Sequence, residues 1–218
     1  MYLDGNSQVE LGLNGGNFGK YEIHSNGGAA LLVINASNFM ISNVSFYNNR
    51  AIAGGAVSIL GSEVTINNST FSDNNAGEVG GAIASFLSHL NVVSSTFTSN
   101  SATSTQSGIG GVIYFDGSVG KVFELFQALE IRSSQFDNNF ADRGGGALYA
   151  ASFSSRNNTL VVESTEFRNN SVFGQSSCLS LISCNPRGGA IYANVLSASI
   201  KQSKFYLNKA KSKSQEYV

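Results

Sequence analysis

Residues 80–100, GGAIASFLSHLNVVSSTFTSN, hold in 21 positions the unit from which the whole chain is built. A Gly-Gly-Ala-apolar tetrad opens it, strand-like stretches follow, and Phe-x-x-Asn closes it at Phe97 and Asn100. The pair recurs six times in the same order. The tetrads begin at Gly27, Gly54, Gly80, Gly110, Gly145 and Gly188. The phenylalanines are Phe46, Phe71, Phe97, Phe136, Phe167 and Phe205, and three residues after each stands Asn49, Asn74, Asn100, Asn139, Asn170 or Asn208. Self-similarity at a period of roughly 25 residues is the mark of a solenoid.

Aligning the six units on Phe shows which positions repeat. Five residues before it lie Ile41, Ile66, Val92, Ile131, Val162 and Ile200, all β-branched. Two before it stand Val44, Ser69, Ser95, Ser134, Thr165 and Ser203, all small; five after it stand Ala51, Ala76, Ala102, Ala141, Val172 and Ala210. Apolar residues at steps of two mark strands with one buried face. A hairpin array or a sandwich uses such strands too, but gives no reason for one residue type to recur in register. A parallel β-helix does, because equivalent residues of successive coils become neighbours about 4.8 Å apart. The expected fold is therefore all-β: a parallel β-helix of about six to seven coils, right-handed by the general rule for parallel crossovers. Its Phe column forms an internal aromatic stack. Its Asn column forms an amide ladder at a corner. Outward charges agree with this register: Arg132, Glu163 and Lys201 share a row, Glu166 lies beside Lys204, and Asp137 beside Arg168. Opposite signs on adjacent coils suit parallel neighbours.

The 218 residues are 42% hydrophobic and 12% charged, with net charge −1. One elongated domain spanning 1–218 can bury its core at that length. The charge balance removes the electrostatic case for a nucleic-acid or anionic-membrane partner. No apolar run is long enough to cross a bilayer as a helix. The first residues, MYLDGNSQVE, read as a mid-solenoid strand and turn, and both ends read as cut from a longer solenoid. The lack of a targeting signal therefore says little about compartment.

The Gly-Gly-Ala-Ile and Phe-x-x-Asn pair over residues 27–210 resembles the repeats of the chlamydial polymorphic outer membrane proteins. Similar repeats occur in large surface proteins of other bacteria and some protists. The resemblance implies a right-handed β-helix passenger, an extracellular or cell-surface location and a role in adhesion to host surfaces. It also implies that each tetrad's apolar residue and each Phe point inward. The chain departs from that family in lacking a C-terminal membrane barrel and in reading Gly-Gly-Val-Ile at its fourth tetrad.

Later coils swell with extra residues at Ser101–Ile109, Asp116–Gln127, Ser152–Asn158 and Val172–Pro186. Binding residues of solenoids concentrate on such insertions. Lys121–Gln127, KVFELFQ, either packs back on the β-helix or forms a sticky patch for a partner. Cys178 and Cys184 share the longest insertion, where a disulfide and two free thiols are both open readings. His24 and His89 lie on other coils, so no metal-ligand cluster, and no cofactor, is expected. Asn-x-Ser/Thr sequons stand at Asn35, Asn43, Asn67, Asn68, Asn157 and Asn169. Asn35 and Asn157, in loops, are the better glycan acceptors.

The serious rival is a polysaccharide lyase or glycoside hydrolase. Either chemistry requires carboxylates grouped on one outer face. The strand after each tetrad instead presents Leu31, Ser58, Ala84, Tyr114, Tyr149 and Tyr192 on its other face. The three tyrosines form an aromatic stripe able to stack on sugar rings or to pack under the insertions. Asp142 and Arg143, beside a triple glycine, read as a corner turn, with Asp116 and Asp142 the acids to test. Gly108–Gly111 is not a phosphate loop, since no helix start follows it. The outer column Met40, Thr65, Asn91, Glu130, Val161, Ser199 lacks the threonine ladder of an ice-binding face. The sequence therefore reads as a non-catalytic, loop-presenting β-helix segment, with a protein or glycan partner.

Overall fold

A computed structural model describes residues 2–4, 12–19, 27–104, 107–117, 127–151, 158–174 and 186–212. Cys178, Cys184, Asn157, His24 and residues 121–126 lie outside them. The described residues form parallel strands and no helix. One sheet stacks Tyr2–Asp4, Leu31–Ile34, Val57–Leu60, Ile83–Phe86, Ile113–Asp116, Leu148–Ala151 and Ile191–Asn194. A second stacks Arg50–Ala53, Asn75–Val79, Ser101–Ala102, Phe140–Ala141, Ser171–Gly174 and Lys209–Ser212. The third has 12 strands and splits into two ladders on the long strand Phe39–Tyr47, which also pairs with Gly12–Gly19. Each strand meets its equivalents from the coils above and below, so the chain winds as a parallel β-helix.

The register follows the columns. Phe46, Phe71, Phe97, Phe136, Phe167 and Phe205 are successive strand partners. Their rings stack with centroids 4.7–5.0 Å apart. Phe18 extends the stack downward, 5.4 Å from Phe46. Beside the rings, Ile41, Ile66, Val92, Ile131 and Val162 are fully buried, as are Leu90, Leu129 and Leu160. Burying a ring of this size contributes a few kcal/mol through area alone. Parallel stacking adds about 1 kcal/mol per pair.

One expectation fails by a single residue. Leu31 pairs with Val57, which aligns Gly28, not Gly27, with Gly54. The outward residue of that strand is thus Leu32, opposite Ser58, while Leu31 is buried. Hydrophobic alternation sets strand register: a one-residue slip would expose Leu31 and Val33. Elsewhere the glycine pair is required twice over. Gly80 has φ +63, and a Cβ on Gly81 would sit 2.0 Å from the Gly111 carbonyl oxygen. Left-handed backbone and close approach of chains are both glycine's domain.

Phe97→Ala should lower stability by about 3–5 kcal/mol, read from the urea midpoint by circular dichroism. Phe205→Ala should cost far less, because that ring is 44% exposed.

Candidate functional site

Three polar columns hold the corners. In the first, the Asn74 backbone N–H and its Nδ2 both donate to Asn100 Oδ1, at 3.1 and 3.0 Å. The second Nδ2 hydrogen donates down to the Phe46 carbonyl at 3.0 Å. The same three bonds repeat at Asn49, Asn100, Asn139 and Asn170. Asn208, the last of the column among the described residues, donates to Phe167 O. Asn74, Asn100, Asn139 and Asn170 are fully buried. A buried carboxamide left unpaired would cost kilocalories, so each coil requires the next.

The second column lies two residues before Phe. Ser69, Ser95 and Ser134 each accept a backbone N–H from the coil below, from Val44, Ser69 and Ser95, at 3.1–3.2 Å. Each hydroxyl donates to the carbonyl two residues back at 2.8 Å. The sequence showed these only as small. A shorter third column runs through Ser62 and Ser88. The adjoining residues adopt left-handed backbone without being glycine: Asn43, Asn68, Ser94, Ser133, Ser164 and Gln202 at one corner, with φ of 46–55°. At the Asn corner Asn48, Asp73, Ser99, Asn138, Asn169 and Leu207 do the same. After glycine, Asn and Asp tolerate that region best, which suits the chain's abundance of Asn at its corners. Three expected sequons fall here. Asn43 and Asn68 are exposed and bonded to each other, and Asn169 is exposed. Asn35 is exposed at a third left-handed corner.

Tyr114, Tyr149 and Tyr192 are strand partners on the outer face. Their ring centroids lie 5.7 and 4.7 Å apart, each pair 19° from parallel. Phe86 packs on the lower side of Tyr114, and the Arg187 guanidinium lies 6.0 Å from the Tyr192 ring centre. Both faces of Tyr114 and Tyr149 are therefore covered by aromatic neighbours. The faces of these two rings are thus closed to a stacking sugar. The Tyr114 hydroxyl donates to Asp116 at 3.2 Å. Burial, with the Asp116 charge, pushes the Tyr114 phenol well above its usual range; burial also raises Tyr149.

A polar groove of about 150 Å³ runs along the corner of the last three coils. Ser133, Ser164 and Gln202 form its left-handed row, and Gln135, Glu166 and Lys204 the adjoining strand row. The Ser134 and Thr165 hydroxyls at its floor belong to the ladder. Glu166 accepts the Tyr206 hydroxyl. What remains is a strip of hydroxyl, carboxamide, carboxylate and ammonium groups, chemistry suited to a hydroxyl-rich ligand. The column three residues before Phe is polar in every coil, but nothing in the chain marks it as part of a groove.

Several acids on these faces are held by partners. The Arg168 guanidinium bonds Asp137 and keeps its carboxyl below the usual aspartate range. Arg132 bonds Glu130 at 2.6 Å and lies 3.7 Å from Glu163. His89 lies 3.6 Å from Glu130. Asp142 accepts the Ser104 N–H at 2.7 Å, fixing the turn beside Gly108. Among the described residues no three His, Cys, Asp or Glu side chains gather as a metal-binding group. No described helix is long and apolar enough to cross a membrane.

The profile of the family described as right handed beta helix region matches residues 3–210. No curated protein and no solved structure matches the chain significantly.

Asn100→Ala should cost several kcal/mol, since it orphans the Asn74 N–H and Nδ2 donors at about 1–3 kcal/mol each; chemical denaturation measures it. Absorbance at 295 nm should show Tyr114 and Tyr149 ionising above the exposed phenols, and Tyr114→Phe should remove part of that late fraction. Because these pKa values are raised on folding, the associated stability is complete below pH 10 and is lost as pH climbs through them.

Proposed function

The chain belongs to the right-handed β-helix region family, and on that footing we propose that it is a non-catalytic segment of a cell-surface or secreted protein. It works as a binding scaffold, offering its corner groove and the insertions of its later coils to a glycan or protein on another surface. The observation that carries this reading is that five acids along the later coils are engaged by other groups. Asp137 and Glu130 are bonded to arginines, Glu166 and Asp116 to tyrosine hydroxyls, and Asp142 to backbone. A glycoside hydrolase needs an acid and a base free to face each other across a bond. A lyase of the calcium-dependent kind needs clustered oxygen ligands. Carboxylates held singly by arginines, tyrosine hydroxyls or backbone form neither arrangement.

The groove supports a saccharide ligand in particular. Its side chains offer donors and acceptors in rows spaced by one coil, and the strand beneath holds them rigid. The resemblance of the paired repeat to the polymorphic outer membrane proteins supports adhesion and surface display. That fold alone hosts both enzymes and binders, so the assignment rests on the side chains.

Binding to an immobilised glycan array should retain a subset of ligands, and Gln135→Ala with Glu166→Gln should weaken that retention at least tenfold. Tyr149→Phe should leave it unchanged. Incubation with uronate and neutral polysaccharides, with and without calcium, should leave their chain lengths intact. Cleavage abolished by Asp116→Asn or Asp142→Asn would make the protein an enzyme instead.

A further inference from the structure

One corner row carries neither a charge nor an apolar side chain in any coil. Three residues before each Phe it holds Asn43, Asn68, Ser94, Ser133, Ser164 and Gln202, all exposed. Beside it, one residue before Phe, lie Ser45, Thr70, Thr96 and Gln135, again polar and uncharged, before that row turns to Glu166 and Lys204. Strand pairing sets Ser45 against Thr70, Thr70 against Thr96, Thr96 against Gln135 and Gln135 against Glu166. The groove of about 150 Å³ is the upper part of this strip. Five coil-to-coil steps of about 4.8 Å carry the strip over roughly 24 Å.

Its flanks differ from it. Four residues before Phe stand Val93, Arg132, Glu163 and Lys201, and one after it Asp137 and Arg168. In the upper coils these rows border the strip with ion pairs: Arg132 Nε lies 3.7 Å from Glu163, and Arg168 Nε donates to Asp137 at 3.0 Å. A ligand crossing the strip therefore meets committed charges on either side. A ligand lying along it meets a hydroxyl or a carboxamide at coil after coil. Neighbours within the strip do bond one another, Asn68 Nδ2 to Asn43 Oδ1 at 2.6 Å and the Ser164 hydroxyl to Gln202 Oε1 at 3.4 Å. Each bond leaves further donor or acceptor sites on the carboxamides involved. Beneath the strip, the serine ladder fixes the backbone that carries it.

Resting on the reading of the chain as a glycan-binding scaffold, we infer that the ligand is a neutral, linear polysaccharide lying along the β-helix axis and touching several successive coils. Its hydroxyls exchange hydrogen bonds with the two side-chain rows at the one-coil spacing. An ionised polymer would meet no counter-charge in these rows over the first four coils, and would lose hydration there without compensation. Contacts repeated along one polymer act together, because each further sugar unit is delivered at high effective concentration. Affinity therefore rises with the length of the ligand.

Isothermal titration calorimetry of the full chain with laminari-, cello-, manno- and xylo-oligosaccharides of two to six units tests this. At least one series is expected to bind, with its Kd falling at least tenfold from disaccharide to hexasaccharide. Oligogalacturonides of the same lengths should bind at least tenfold more weakly. Ser94→Asp places a charge in the strip outside the groove, at a left-handed position that Asp accepts. It should weaken the hexasaccharide at least fivefold and the disaccharide less than twofold, with circular dichroism confirming the fold. Equal Kd at every length, equal binding of the galacturonides, or a hexasaccharide indifferent to Ser94→Asp would overturn the inference and leave the glycan reading in place. So would failure of all four neutral series while the glycan array still retains other ligands. Failure of every glycan, on the array and in solution, would remove both the inference and the glycan reading beneath it.

Discussion

A carboxamide buried away from water must find partners for two donor hydrogens and an acceptor oxygen, and that requirement organises this molecule. Asn100 meets it with the coil above through Asn139, with the coil below through Asn74, and with the Phe71 carbonyl. No other side chain at that place satisfies all three directions at once. A register error of one residue anywhere along the column would orphan several groups together. The aromatic stack lies three residues away and shares the same register. Its contribution is large but tolerant, because rings that slip still bury area. The amide column does not tolerate slipping, and it specifies the coil-to-coil alignment.

The corners follow from this alignment. Each coil turns through left-handed residues, filled by Gly80 where backbone crowds in and mostly by Asn, Asp or Ser where space remains. Hydroxyls at Ser69, Ser95 and Ser134 then satisfy the N–H groups that the turns release. Outward rows are free of such duties, so they carry the alternating charges and the groove. The surplus residues of the later coils fall between strands that keep their register: Gln127 and Asn158, each the first described residue after such a segment, pair with each other.

Much of this architecture was readable in the chain because every column repeats the same residue type. Where repetition weakens, reading fails. Phe18 belongs to the stack, yet Tyr21 stands where an Asn would mark its unit, and no tetrad precedes it. The run GGAALL at 27–32 allows two alignments, and only the burial of Leu31 and Val33 chooses between them. The serine column looked merely small, since a hydroxyl's bonding partner cannot be seen without the neighbouring coil. The tyrosines were legible as a stripe, but not that their faces cover one another. The groove was hardest to read: Ser133, Gln135 and Gln202 are ordinary surface residues, and only the fold brings them into one strip.

Hydrogen exchange of the asparagine side-chain carboxamides, followed by nuclear magnetic resonance in deuterated water, tests the central claim most directly. The Nδ2 protons of Asn74, Asn100, Asn139 and Asn170 should exchange as slowly as backbone amides of the adjoining strands. Exchange as fast as that of the exposed Asn43 and Asn68 carboxamides would contradict the account.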